Sequence, residues 1–66
     1  MPRMNPINLR ALREAAGISQ EQLAAASKIS RETISRIENG AISPTVDTLT
    51  ALAAALNVPT AALLPR

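Results

Sequence analysis

Polar side chains of both donor and acceptor type are concentrated in the segment that follows Ser30. If this segment is a helix with 100° between successive side chains, Ile34, Ile37 and Ser30 face inward. The opposite face then carries Glu32, Ser35, Arg36 and Asn39, with Arg31 on its flank. Arginine can donate two parallel hydrogen bonds to guanine O6 and N7, and glutamate can accept from cytosine N4. The segment therefore has the chemistry to read base edges, although a merely solvated helix face looks similar in isolation.

The elements that must position these groups are helices, because the chain is rich in Ala and Leu and its β-branched residues stand singly. Asn5 and Pro6 are typical of an N-cap and a first helical residue. Leu9, Leu12 and Ala16 then give this first helix an apolar stripe at i, i+3 and i+7. Gly17 suits the left-handed position after a helix, so the first helix is expected to end near Ala16. Residues 1–5 are expected to form a flexible arm.

A second and a third helix follow in quick succession. Ser19 and Gln22 form an S-x-x-Q capping box, which predicts a second helix over about residues 20–26. After a break at residues 27–29, Ser30 is placed to cap a third helix that runs through residue 38. The residues that end this helix are Asn39 and Gly40.

Two more elements are predicted in the remaining third of the chain. Pro44 and Thr45 prepare a fourth and longest helix, which runs to Asn57. Its predicted apolar stripe consists of Val46, Leu49, Leu52, Ala53 and Leu56. After Pro59, residues 60–64 are long enough for one further turn. The sequence thus predicts an all-α chain, with residues 1–66 forming a single domain.

Composition excludes several classes of protein. The 66 residues contain no Cys and no His, which excludes disulfides, thiolate zinc sites and His-dependent catalysis, so we expect neither an enzyme nor a metal or other cofactor. No apolar run approaches the ~18 residues that span a bilayer, and no continuous apolar signal segment begins the chain, so a cytoplasmic protein without a membrane partner is expected. The absence of aromatic residues argues against binding single strands by base stacking.

Two stretches carry a family resemblance: GISQEQLA at residues 17–24 and ISRETISRIENG at residues 29–40. They resemble the XRE family of bacterial and phage regulators, which includes the lambda-type repressors and Cro. The likeness covers about residues 9–64, and its further matching positions are Pro44, Thr45, Leu49, Leu52, Ala53, Leu56, Asn57 and Val58. It implies a compact five-helix repressor-like fold, a helix-turn-helix at about residues 19–38, and insertion of the third helix into the major groove of bacterial or phage DNA.

The resemblance also implies roles for individual residues. At the matching positions, the base-reading residues are Arg31, Glu32 and Arg36, with Ser35 a weaker candidate. The residues expected to contact phosphates are Ser19, Gln20, Thr33, Asn39, Ser43 and Thr45. Gln20 would place its amide beside a helix N-terminus, which favours anions. Ser30 and Thr45 are equally well explained as helix caps alone.

Arg13 and Glu38 match a pair that, in some relatives, forms an ion pair between the first helix and the end of the third. Glu38 lies about 40° from Ile34 on the helical wheel and so faces inward, where a carboxylate needs a partner. The planar guanidinium fork of Arg13 offers one. A structural role is therefore expected for the pair. The guanidinium of Arg13 could also approach a DNA phosphate.

Lys28 departs from the family pattern, and the negative charge of Glu32 on the reading helix raises a separate question. Lys28 occupies the turn position where the family commonly has Gly, and a left-handed Lys costs roughly 1 kcal/mol. Tolerated strain is the favoured interpretation, and an added cation near DNA is the alternative. Phosphates repel the carboxylate of Glu32, so it needs a partner at the interface. That partner is either a cytosine or Arg36, with which an i, i+4 ion pair contributes ~0.2–0.5 kcal/mol.

The sequence therefore predicts a transcriptional regulator, expected to be a repressor, that binds specific double-stranded DNA as a homodimer on an inverted repeat. Val58, Leu63 and Leu64 are candidates for the dimer interface, and the small core competes for the same side chains. The alternative function is a protein-interaction module, such as an antitoxin or an adaptor. An inert structural or catalytic helical domain, without salt-dependent DNA affinity, is the third hypothesis.

Overall fold

The computed structural model describes residues 7–64, which form four α-helices and one 3-10 helix. The α-helices are α1 (Leu9–Ala15), α2 (Gln20–Ser27), α3 (Arg31–Glu38) and α4 (Val46–Leu56), and the 3-10 helix spans Thr60–Leu63. No strand occurs within this part of the chain. The predicted all-α class is therefore confirmed for the described residues.

Every helix contributes to one hydrophobic core. The fully buried large side chains are Leu9, Leu23, Ile34, Ile37, Leu52 and Leu63, and Ala53 and Leu56 complete the cluster. α2 packs against both α3 and α4, and the 3-10 helix packs against α4. Burying a leucine or isoleucine side chain contributes about 1.5–3 kcal/mol, so these few residues supply most of the favourable burial in so small a chain. The core therefore fixes α3 by its apolar edge.

Side-chain caps begin three of the four α-helices. Ser19 Oγ accepts a hydrogen bond from the Gln22 amide (3.0 Å), and Gln22 Oε1 accepts from the Ser19 amide (2.7 Å), so the predicted capping box is present. Ser30 caps α3 by accepting from the Thr33 amide, at 3.2 Å. Thr45 likewise caps α4. Each cap satisfies an N–H group that has no partner inside the helix, and so fixes where the helix begins.

A left-handed residue makes the turn between α2 and α3. Lys28 has φ 65° and ψ 20°, in agreement with the strained geometry expected at this position. The next amide, of Ile29, donates to Ser27 Oγ at 3.2 Å, and Ser27 is buried. The hydrogen bond to Ser27 thus stabilises the turn, whereas the left-handed backbone of Lys28 costs strain energy. Its short length sets the angle at which α3 leaves α2.

The structure corrects the prediction for the first helix. α1 begins at Leu9, later than predicted, and Asn8 at its N-cap makes no side-chain capping bond. Instead, the Asn8 amide donates to the carbonyl of Leu63 at 2.7 Å. A tertiary contact therefore fixes this end of α1. The predicted cap at Asn5 and Pro6, like the predicted arm at residues 1–5, lies outside the described residues.

The predicted five-helix fold is also wrong, because residues 7–64 contain four α-helices. The predicted last turn is present as a 3-10 helix, closed by hydrogen bonds from Ala62 to Pro59 and from Leu64 to Ala61. Leu64 is already extended, with ψ 144°, and the residue before a proline such as Pro65 avoids the α region. The segment between the two prolines is therefore too short for an α-helix.

Three residues predicted to face the core are exposed, and the first is Ala16, which directly follows the last residue of α1. Ser30 has φ −65° and ψ 150°, so it lies outside the helical spiral and the helical wheel does not apply to it. Val46 is 76% exposed, because it is the first residue of α4 and extends past the edge of the core. The rest of the predicted α4 stripe is buried or partly buried.

Candidate nucleic-acid interface

α3 is strongly two-sided. Ile34 and Ile37 are buried, whereas Arg31, Glu32 and Arg36 are exposed. Ser35 is partly buried, and Asn39, directly after the helix, is exposed. The structure thus brings the sequence-predicted base-reading residues onto one helix. Because the buried isoleucines fix the opposite edge, the polar side chains project from a rigid support.

Of the two alternatives expected for Glu32, a cytosine or a pair with Arg36, the second is not formed within residues 7–64, although the spacing of the two residues would allow it. Arg31 instead lies near α2, where its Nε is 3.7 Å from Oε2 of Glu21. This contact joins the first turns of two helices. Glu32 and Arg36 therefore remain available for other partners.

A network of three side chains connects α1, α2 and α3. Arg13 donates from Nε to Glu38 Oε2 (2.7 Å) and from Nη2 to Oε1 (3.1 Å). The same guanidinium donates from Nη1 to the carbonyl of Ile18 at 2.9 Å. Gln20 Nε2 donates to Glu38 Oε1 at 3.0 Å. The last turn of α3 is thus tied to both preceding helices by a bidentate ion pair and an amide.

Glu38 is charged at ordinary pH in spite of its burial. Burial raises the pKa of its carboxyl group. Hydrogen bonds from Arg13 and Gln20, together with the positive charge of the nearby arginines, outweigh that effect, so the net pKa is lowered. The pKa of Arg13 is raised, chiefly by its hydrogen bond to Glu38. Each group therefore stabilises the charged form of the other, as expected for a pair shielded from water.

Gln20, predicted to contact a phosphate, makes a hydrogen bond inside the fold. Its contact with Glu38 was not predicted, because a helical wheel describes one helix and this contact joins two. An amide nitrogen has two hydrogens, so one N–H remains beyond the bond to Glu38. Gln20 stands at the first position of α2, where free backbone amides also point outward. The arrangement can hold an anion such as a phosphate.

The other predicted phosphate-contacting residues fall into two groups. Ser19, Thr33 and Thr45 have hydroxyl groups already engaged at helix starts, where Thr33 Oγ1 accepts from Ser30 Oγ at 2.8 Å. Asn39 and Ser43 are exposed, and no side-chain hydrogen bond of theirs occurs within residues 7–64. The first group therefore has a structural role in the free chain, and the second is free to meet a ligand.

The formal net charge of the chain is only +2. Within residues 7–64, the basic side chains are Arg10, Arg13, Lys28, Arg31 and Arg36, and the acidic ones are Glu14, Glu21, Glu32, Glu38 and Asp47. Attraction to a polyanion therefore depends on where the cations stand and not on a large excess of them. Residues 7–64 hold no cluster of acidic, His or Cys side chains that could bind a metal ion. Over the same range, no helix is long and apolar enough to cross a membrane.

Comparison with known proteins agrees with this geometry. A helix-turn-helix family model, HTH_3, matches residues 9–63. Among solved structures, the chain is similar to the restriction-modification controller protein C.AhdI from Aeromonas hydrophila, with 35% sequence identity and a TM-score of 0.84. The similarity covers 86% of each chain. No curated protein matches the chain significantly.

Proposed function

The chain belongs to the XRE-type helix-turn-helix family of DNA-binding transcription regulators, and on that premise we propose that it is a sequence-specific repressor. In this proposal, α3 enters the major groove of double-stranded DNA. The single observation that carries it is the exposed Arg31, Glu32 and Arg36 on a helix whose opposite edge is buried.

The dimensions of α3 support this mode of binding. An α-helix with its side chains is about 10–12 Å in diameter, and the major groove is ~12 Å wide, so a helix such as α3 fits between the groove walls. The two arginines supply the bidentate donors that guanine O6 and N7 accept, and Glu32 supplies an acceptor for cytosine N4. Each correct bidentate contact discriminates by about 1–3 kcal/mol against a wrong base. Ser35 is a subsidiary candidate, because it is partly buried.

Phosphate contacts would fix the register of α3 in the groove. We assign them to the start of α2 at Ser19 and Gln20, and to Thr33, Asn39, Ser43 and Thr45. The bond from Gln20 to Glu38 supports this assignment, because a phosphate held by Gln20 would then be connected to the last turn of α3. Such contacts position the protein and carry no sequence information of their own.

We further propose a homodimer on an inverted repeat, with half-sites ~34–36 Å apart. Of the three candidate interface residues, Leu63 is fully buried and so belongs to the core. Val58 is partly buried, and Leu64 is 49% exposed, so Leu64 is the side chain most available to a second copy. Sedimentation velocity with and without bound DNA tests the dimer, and a monomer under both conditions at high concentration would refute it.

Selection from a pool of random duplexes at two salt concentrations tests the function as a whole. We expect a short inverted repeat to be enriched, with affinity that falls steeply as salt rises. If no sequence is enriched and binding stays weak at low salt, the proposal is wrong and an antitoxin or adaptor role takes precedence. Whether the enriched site lowers or raises transcription from an adjoining promoter then tests repression.

A further inference from the structure

Glu21 on α2 and Arg31 on α3 form an ion pair across the helix-turn-helix. The distance from Glu21 Oε2 to Arg31 Nε is 3.7 Å, too long for a hydrogen bond, and the side chains are 71% and 53% exposed. We propose that Glu21 is a positioning residue that determines how selectively Arg31 reads its base. This inference rests on the proposed function, since it concerns the same groove contact.

An acidic residue in the first turn of a helix has a simpler explanation. The partial positive charge of the α2 N-terminus favours a carboxylate there, and Glu21 is the acidic residue of that turn. That explanation requires no particular partner for the side chain. The approach to Arg31 is a separate observation, and it involves a proposed base-reading group on another helix. The two explanations predict different results, because only the second depends on Arg31.

The position of the carboxylate restricts the arginine in a useful way. It approaches the Nε edge of the guanidinium, which leaves the terminal Nη1 and Nη2 groups to face guanine O6 and N7. In water an exposed pair of this kind is weak. Binding to DNA removes water from both groups and lowers the effective dielectric constant, so the attraction increases where the base is read. Glu21 thereby favours one orientation of Arg31.

The charge of Glu21 has a second effect on duplexes of unrelated sequence. A carboxylate beside the groove repels phosphates, and this repulsion acts on every duplex alike. On the correct site, the better-oriented Arg31 compensates for it. On a wrong site, nothing compensates. The same side chain therefore strengthens discrimination in two ways, by favouring the correct contact and by penalising the others.

Glu21→Gln removes the charge and keeps the side chain's shape. In selection from random duplexes, followed by titration of single-base variants of the enriched site, we expect this variant to bind unrelated DNA about two- to fivefold more tightly. Preference at the base pair read by Arg31 should fall about three- to tenfold, with other positions unchanged. In the Arg31→Ala background, Glu21→Gln should cause no further loss at that base pair.

Glu14→Gln is the matched control, because Glu14 is an exposed acid on α1 that pairs with Arg10 at 3.2 Å. It removes the same charge elsewhere and should leave base preference unchanged. Equal base preferences in Glu14→Gln and Glu21→Gln would overturn the inference while the proposed function stands. A loss of preference in Glu21→Gln that persists without Arg31 would also overturn it. If the unaltered chain enriches no sequence, the proposed function itself fails, before any variant is compared.

Discussion

The guanidinium of Arg13 and the carboxylate of Glu38 meet through two hydrogen bonds, of 2.7 and 3.1 Å, and so join the last turn of α1 to the last turn of α3. The side chains are only 12% and 3% exposed. The helix proposed to read DNA is thus anchored at its far end by an ion pair that the apolar core does not include.

Breaking this pair should destabilise the fold strongly. Arg13→Ala leaves the nearly buried Glu38 carboxylate without its main partner, and we expect a loss of about 2–3 kcal/mol in the free energy of unfolding, measured by urea denaturation. Arg10→Ala is the control, because the Arg10–Glu14 pair is exposed and should contribute less than ~0.5 kcal/mol. Equal losses in the two variants would contradict the assigned structural role.

The same pair predicts acid sensitivity. The pKa of Glu38 in the fold lies below the ordinary value of 4.5, so the unfolded chain takes up its proton at a higher pH than the folded chain does. The stabilisation is therefore complete above pH 4.5 and is lost as the pH falls through the lowered pKa. Urea denaturation at several pH values between about 6 and 3 measures this loss. Glu38→Gln should flatten the curve, and an unchanged acid slope would show that other groups cause it.

Replacing the left-handed residue of the turn should stabilise the chain. Lys28→Gly removes the penalty that a side chain incurs at φ 65°, and we expect a gain of about 0.5–1 kcal/mol, seen as a rise in Tm of several degrees. Lys28→Asn, which tolerates this conformation better than Lys does, should give a smaller gain. If Lys28 instead contacts DNA, both variants would reduce the salt dependence of binding by one phosphate contact.

Replacing each of two adjacent leucines with alanine should reduce the stability of the fold by very different amounts. Leu63→Ala removes a fully buried side chain and should cost about 2–5 kcal/mol in urea denaturation. Leu64→Ala, at an exposed position, should cost less than ~0.5 kcal/mol. If Leu64 contacts a second copy, the Leu64→Ala variant keeps its stability and weakens self-association in sedimentation. A large loss of stability on replacing Leu64 would place it in the core instead.

Removing the two exposed arginines of α3 should separate folding from recognition. Arg31→Ala together with Arg36→Ala should abolish specific DNA binding, because both bidentate donors are lost. Both side chains are exposed, so the helical circular dichroism should remain that of the unaltered chain. Binding is measured by titration with the selected duplex and with an unrelated one. Specific affinity retained in the double variant would refute the assignment of the reading face.

The bounds of α2 and α3 could be predicted from sequence because local signals encode them. Ser19 with Gln22, and Ser30, form caps within three residues along the chain, so their chemistry is readable without knowledge of the fold. Ile34 and Ile37 mark the buried edge of α3 through helical periodicity alone. The pair of Arg13 and Glu38 joins two helices, and it was predicted from the family pattern and not from a local signal.

The exposure of Ala16, Ser30 and Val46 was missed at helix ends, whereas the other missed features depend on contacts between distant segments. The start of α1 is fixed by the bond from Asn8 to Leu63, and neither residue type indicates the other. The contacts of Gln20 with Glu38, and of Glu21 with Arg31, cross between helices whose relative rotation no single helical wheel provides. These four side chains all lie within the helix-turn-helix. A comparison with a solved structure of the same family, which gives the relative rotation of the helices, could have revealed both contacts.

The bond between Asn8 and Leu63 has a topological consequence. It brings the two ends of the described chain side by side, so the start of α1 is a neighbour of the 3-10 helix. A short linker between those ends, with a break in an exposed turn such as residues 41–43, would give a circular permutant with the same helices in rotated order. Asn8 and Leu63 would then lie inside the chain of the permutant, with the linker joining the segments that carry them.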